Sequence, residues 1–374
     1  MGSGFGHCAL VRCSICVEHV RGRVEARDRL GLCPLVASQV EMVTTMLSVM
    51  PARIGWLGLG NMGMPMVANL VKHGGGIQSV SVFDADGGKR DAALKELSGV
   101  RKGVTVSTAV SVRDLVANGR CNVVFSMLPD GAAMNDCVAL LTEAGASASP
   151  GGLALMVDCS TVHPNDAQRA AAALNKVSVS FVDAPVSGGI QAAKDGTLSF
   201  LVGGSVHVLD AARPFLQSMG RKILHCGEQP GLGQAAKLAN NLLLGITMAG
   251  LCESFVLGSR LGLEPKVLSE VFNASSGRCW SSEKYCPVKG VMSSVPANAD
   301  YKTGFAARLM LKDLRLAMDA AKARGVDHEG SDSRKLRLPL GEAALEQYVQ
   351  LASQHPNLDF SALYKYLFDE EGKR

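Results

Sequence analysis

The sequence is poor in the features that mark several non-enzymatic classes. Charge is sparse: 19% of the 374 residues are Asp, Glu, Lys or Arg, and the formal balance is only +4. No basic run appears, so the electrostatic footprint of a nucleic-acid binder is missing. The longest apolar stretch, 238–258, is interrupted by Asn240, Asn241 and Glu253, which argues against a membrane span. The eleven cysteines are odd in number and scattered, so no disulfide framework is expected. Reduced thiols suit a non-secretory compartment.

Apolar residues and glycine are plentiful. A hydrophobic share of 47% excludes extended disorder. Glycine makes up 41 of 374 residues, about 11% against a usual value of about 7%, and must serve tight turns or close backbone approaches. At roughly 150 residues per domain, the length predicts two or three domains.

Residues 1–50 stand apart. They hold five arginines, no lysine and four cysteines, with little helix or strand periodicity. A mitochondrial transit peptide is Arg-rich and acid-poor; Glu18, Glu25, Asp28 and Glu41 leave the second condition half met. Cys13 and Cys16 form a C-x-x-C, but no second pair follows at zinc-site spacing, so an unstructured leader is expected there and no metal site. Met42, Met46 and Met50 are further possible starts.

From Arg53 to about Gly227, short Val- and Ile-rich runs (53–57, 79–83, 122–127, 154–157, 179–182) predict strands, with helical patterns at 64–72 and 89–97 between the early ones. Strands alternating with helices imply a parallel sheet covered on both faces. Strand signals vanish after Gly233. Residues 232–262 then read as one long helix, too apolar for a surface helix and expected to be buried over most of its circumference. The predicted organisation is a leader (1–50), an α/β domain (53–230) and a helical domain (231–370) that begins with the interdomain helix. The polar stretch 328–337 reads as an exposed loop.

Four motifs carry the chemistry. Gly58-Leu59-Gly60-Asn61-Met62-Gly63 is a G-x-G-x-x-G between a strand and a helix, the context in which glycines admit a pyrophosphate. Asp84 closes the second strand 21 residues after Gly63, near the spacing of the acid that holds the adenosine ribose. A carboxylate there repels a 2′-phosphate, so NAD is expected over NADP. Without that spacing Asp84 would be a turn former, and the glycines an ordinary turn. Together they predict a Rossmann-type doubly wound α/β sheet, followed by the all-helical C-terminal domain.

On the long helix Gly233, Lys237, Asn241 and Gly245 stand four apart on one face. Burial drives a lysine's pKa toward the working pH of a general acid/base, and the glycines leave room for a substrate beside the amine. The alternative is a lysine snorkelling from the helix end, disfavoured by the polar pair Asn240 and Asn241. The remaining motifs, 158–161 (Asp-Cys-Ser-Thr) and 183–189 (Asp-Ala-Pro-Val-Ser-Gly-Gly), follow strands, where open α/β sheets bind ligands. The second offers a hydroxyl and unhindered N–H groups for a carboxylate.

With these elements in this order, the chain over about 53–370 resembles the β-hydroxyacid dehydrogenase family. The segment from Ser275 through Arg278 and Trp280 to Ser282 resembles its hydroxyisobutyrate branch in particular. The resemblance implies NAD-dependent oxidation of a small 3-hydroxy acid, with Lys237 as catalytic lysine and Asn241 as substrate-positioning amide. It implies substrate contacts from Ser160, Ser187, Gly188 and Gly189. It also implies cofactor contacts from Leu128, Pro129, Thr161 and Lys312, beside Gly58–Gly63 and Asp84. A homodimer or homotetramer and a mitochondrial location follow from the same resemblance. Cys159 departs from the family's usual serine, and Ala133 stands where some members have an asparagine. Relatives acting on tartronate, glyoxylate or succinic semialdehyde share most of these motifs. 6-Phosphogluconate dehydrogenase is disfavoured by Asn240-Asn241, where its motif has His-Asn. A non-catalytic cofactor-binding module is disfavoured by Lys237.

Overall fold

The computed structural model describes residues 50–117, 121–144, 152–322 and 336–371. The leader, with Cys13 and Cys16, and nearly all of the 328–337 loop lie outside the described residues.

The first half winds as β1 (Ala52–Leu57), α1 (Gly63–His73), β2 (Ile77–Phe83), α2 (Gly87–Leu97), β3 (Thr105–Thr108), α3 (Val112–Val116), β4 (Val123–Ser126), α4 (Gly131–Glu143), β5 (Leu155–Asp158), α5 (Pro164–Asn175) and β6 (Ser180–Asp183). These strands lie in the order β3-β2-β1-β4-β5-β6 and pair in parallel throughout. Every residue of β4, β5 and β6 is buried, which is why they appear in the sequence as unbroken apolar runs. One core layer centres on Trp56 stacked on Phe125, the other on Leu115, Met134 and Met156. Strand order reverses between β1 and β4, which opens the ligand crevice of a doubly wound sheet beside both carboxyl ends.

Beyond β6 the expected parallel pattern needs correction. The chain continues as β7 (Val186–Ser187), α6 (Gly189–Lys194), β8 (Leu198–Gly203), α7 (Val206–Gln217) and β9 (Gly220–Gly227). β8 runs antiparallel to both β6 and β7, and β9 pairs in parallel with β8. The link from β7 to β8 is too short for the crossover that a parallel return requires. Strands β3 and β9 were invisible as apolar runs because they lie at edges with half or more of their residues at least partly exposed.

The second half is helical: α8 (Leu232–Arg260), α9 (Pro265–Ala274), α10 (Trp280–Lys284), α11 (Ala307–Lys322), α12 (Pro339–Gln354) and α13 (Leu363–Glu371). By length and composition α8 is apolar enough to cross a membrane, but its buried face packs on β8, α11 and α13. It is less enclosed than its composition implied. Thirteen of its 29 residues are buried, while Leu243 and Leu257 are each 62% exposed. Asn240 is exposed too, so only Asn241 of that pair is an interior amide.

The first turn of α8 meets the sheet with no room to spare. A Cβ on Gly233 would lie 2.3 Å from the Leu201 carbonyl oxygen and 2.8 Å from Asp183 Oδ2. Backbone and a hydrogen-bonded carboxylate cannot yield cheaply, and overpacking of this kind costs about 1–3 kcal/mol. Gly233→Ala is therefore expected to lower the unfolding free energy by that amount, read as a lower urea midpoint; an unchanged midpoint would show that the helix start can shift away from the sheet.

Candidate active site

The glycine loop has the geometry its sequence implied. Gly58 takes φ +94°, and a Cβ there would strike the Met127 carbonyl. A Cβ on Gly63 would lie 2.1 Å from the Gly58 carbonyl oxygen, whereas one on Gly60 would meet nothing within 4 Å. One glycine makes the turn, one seals helix to strand, and the one between faces open space. Trp56 Nε1 donates to the Gly58 carbonyl at 2.8 Å, holding the turn from beneath. Helix α1 starts without a side-chain cap or a first-turn acid, leaving its N–H groups to an anion. Asp84 Oδ2 accepts the Leu59 N–H at 2.8 Å and its Oδ1 the Asp86 N–H at 3.0 Å. Lys89 Nζ stands 3.8 Å from Oδ1. These residues fit a dinucleotide, with open backbone for the pyrophosphate and a carboxylate for the ribose.

The ends of β4 and β5 are tied together below that crevice. Asp158 Oδ1 accepts from Ser126 Oγ at 2.7 Å and from Ser160 Oγ at 2.6 Å. Ser160 Oγ also accepts the Leu128 N–H at 2.8 Å. Burial pushes the Asp158 carboxyl above its ordinary value, so the surrounding hydroxyls are needed to satisfy it. The Ser160 side chain, expected at the substrate, is fully buried, with its hydroxyl bonded to Asp158. It shapes the loop carrying Leu128, Pro129 and Thr161. Among these, Thr161 and Leu128 are half-buried and Pro129 is exposed.

Lys237 is only 9% exposed and Asn241 only 2%. Gly233, Lys237, Asn241 and Gly245 all lie on the buried face of α8. Burial pushes the Lys237 ammonium below the usual lysine range, with Asp313 opposing and Lys312 reinforcing that shift. Asn241 Nδ2 donates to Asp313 Oδ2 at 2.6 Å. From α11, Lys312 Nζ donates to the Thr161 carbonyl at 2.7 Å and approaches Asp313 Oδ1 at 3.4 Å. Residues 76 positions apart in the chain, from Lys237 to Asp313, thus converge at the sheet's carboxyl ends with two cations, a carboxylate and an amide.

Sequence reasoning missed Asp313, Asp183 and Gln234. Asp183 is fully buried; its Oδ1 accepts the Gly231 N–H at 2.7 Å and its Oδ2 the Gln234 N–H at 2.8 Å. The Gln234 amide donates to the Ser160 carbonyl at 2.8 Å and accepts the Val162 N–H at 3.0 Å. The signal was available in part: Asp183 opens the 183–189 motif, Gln234 follows Gly233 of the helix stripe, and Asp313 follows Lys312. Ser187 is half-buried and Gly188 and Gly189 are exposed, with Gly188 at φ +135°. Trp280 of the Ser275–Ser282 segment lies at the surface. It is 52% exposed and stacks on Tyr285 at 5.0 Å, and Tyr285 donates to Asp359 at 2.9 Å. No cluster of metal-ligating side chains occurs among the described residues.

Comparison with known proteins agrees with this geometry. Residues 53–227 match the family model described as the NAD binding domain of 6-phosphogluconate dehydrogenase. Residues 231–367 match the one described as NAD-binding of NADP-dependent 3-hydroxyisobutyrate dehydrogenase. The mitochondrial 3-hydroxyisobutyrate dehydrogenase of Rattus norvegicus is 39% identical over 319 residues, covering 85% of this chain and 88% of its own. The chain belongs to the β-hydroxyacid dehydrogenase family. Within that family, the 3-hydroxyisobutyrate dehydrogenase of Pseudomonas aeruginosa is 42% identical, covering 83% of this chain and 97% of its own. The solved Mycobacterium tuberculosis 3-hydroxyisobutyrate dehydrogenase with L-serine superposes with a TM-score of 0.74 at 39% identity, covering 85% of this chain and 99% of that one. Family membership brings the NAD(P)-binding fold with its helical C-terminal domain.

The buried carboxylates make a pH-dependent contribution to the fold. Burial, partly offset by its two backbone hydrogen bonds, raises Asp183 to about 6 from an ordinary 3.8. A proton held more tightly in the folded state stabilises it below the unfolded value, and that contribution is lost as pH rises through the folded one. Denaturant melts of wild type and Asp183→Asn should therefore show the wild type's relative stability falling between about pH 4 and 7. A pH-independent difference would mean that Asp183 does not titrate above its unfolded value.

Proposed function

We propose that the protein is a 3-hydroxyisobutyrate dehydrogenase that oxidises the primary alcohol of 3-hydroxyisobutyrate to methylmalonate semialdehyde, a step of valine breakdown. The observation that carries this reading is Lys237, a nearly buried amine with a lowered pKa at the mouth of a dinucleotide-binding sheet. The names of the rat, Pseudomonas and Mycobacterium relatives support the substrate, as does the segment from Ser275 to Ser282.

Gly58–Gly63 and Asp84 would hold NAD, whose nicotinamide would supply the hydride acceptor. Neutral Lys237 accepts the proton of the substrate hydroxyl, and in reverse the ammonium returns it. Asn241, with one N–H held by Asp313, directs its other N–H toward the same oxygen. Ser187 and the backbone N–H groups of Gly188 and Gly189 take the carboxylate. Lys312 holds the Thr161 carbonyl and so joins the helical half to the cofactor side. NAD is preferred over NADP because the Asp84 carboxylate opposes a 2′-phosphate, an effect the exposed Lys89 only softens.

The location is mitochondrial on the strength of the arginine-rich leader and the mitochondrial relatives. The assembly is a homodimer or homotetramer. Leu243 and Leu257 stand exposed on α8 and Leu261 just past its end, and Thr247 and Ser254 turn their hydroxyls back onto the helix's own carbonyls. The apolar face that results suits a second copy of the chain.

Absorbance at 340 nm, read with NAD or NADP and a panel of small hydroxy acids, tests the reading. Fastest reduction is expected with NAD and 3-hydroxyisobutyrate, rising with pH along a limb below the ordinary lysine value of 10.5. Lys237→Ala is expected to lose about a hundredfold or more in kcat while binding NADH within threefold of wild type. Near-native turnover in that variant would remove Lys237 from the chemistry, and a faster reaction with another hydroxy acid would overturn the substrate.

A further inference from the structure

The reactive amine lies one turn into a helix whose start is held by two groups outside every motif role considered above. Asp183, at the end of β6, takes both the Gly231 and the Gln234 N–H on separate carboxylate oxygens. The Gln234 side chain, wholly buried, bridges the Ser160 carbonyl and the Val162 N–H in the loop after β5. Four hydrogen bonds thus join the first turn of α8 to the loops that flank the crevice, where Gly233 lies so near the Leu201 carbonyl that a Cβ would clash with it.

We propose that Gln234, with Asp183, is a positioning residue of the reaction, setting the rotation and height of α8 so that Lys237 reaches the substrate oxygen. The argument is geometric. A helix is stiff and advances about 1.5 Å and 100° per residue, so a slip of one residue at the clamp carries the Lys237 side chain about a quarter-turn away. A displacement of about 1 Å at a reacting group can cost about a hundredfold in rate. The clamp also fixes Lys237 relative to Thr161 and Ser187, because Ser160 precedes Thr161 in the loop after β5 and Asp183 ends β6, from which the Ser187 loop leaves. A plain core glutamine would need its volume retained; a positioning glutamine needs both ends of its amide.

The inference rests on the dehydrogenase reading, and the test separates the two. Gln234→Met keeps the volume and removes both side-chain hydrogen bonds. It is expected to lower kcat ten- to a hundredfold with NADH affinity within threefold and a melting temperature within a few degrees of wild type. The primary deuterium isotope effect on kcat, measured with substrate deuterated at the carbinol carbon, should be retained or enlarged, because the hydride step itself is slowed. Gln234→Asn, one methylene shorter, should show the same separation, and it replaces the methionine variant should that one not fold. A kcat within threefold of wild type, or a loss that only tracks the unfolded fraction, overturns the proposal. A wild type inactive on every hydroxy acid refutes the dehydrogenase reading instead.

Discussion

The structure depends on a buried polar seam where the helical half meets the carboxyl ends of the sheet. Asp158, Asp183, Asp313, Lys237, Asn241 and Gln234 are all buried there or nearly so. Charges taken out of water are costly unless paired and hydrogen-bonded, so each group constrains its neighbours. The apolar cores on either side of the sheet and among the C-terminal helices supply the stability that tolerates such a seam. Hydrophobic burial alone would let α8 slide against the sheet, since it is non-directional. Directional bonds from a carboxylate and an amide remove that freedom.

The same seam separates two tasks. Dinucleotide binding is local: the Gly58–Gly63 turn is held by Trp56, Phe83 and Asp84, all from β1, β2 and their ends. The proton transfer proposed above draws on distant parts, with Lys237 from α8, Asp313 and Lys312 from α11, and the loops after β5 and β6. Lys312 links the tasks, because its ammonium touches the Thr161 carbonyl and lies beside Asp313.

Much of this was legible along the chain, because the relevant signals are local. A glycine fingerprint needs its strand, turn and helix within some thirty residues, and the apolar runs of β4–β6 announce two-sided burial. Spacing by four placed Lys237 on the face of Asn241 and the two glycines. Other features were hidden because they depend on a partner far away in sequence. The hydrogen bond from Ser160 to the buried Asp158 could not be read from the sequence, nor could the one from Ser126, 32 residues away from that carboxylate. Asn240 is exposed, one residue and about 100° around the helix, and reaches Asn241 only by donating its side-chain N–H to Asn241 Oδ1 at 3.1 Å. The edge strands β3 and β9 gave no apolar run because an edge is only half covered.

The sequence by itself determined the alternation of strands and helices, the dinucleotide turn, the long lysine-bearing helix and the family. Each of these is set by residues within a few turns of one another, whose periodicity and backbone demands do not depend on distant contacts. Only the tertiary structure decided how far α8 is enclosed, which way β8 pairs, and which carboxylates and amides hold the lysine. Those outcomes turn on burial, and burial is a property of what the rest of the chain brings alongside.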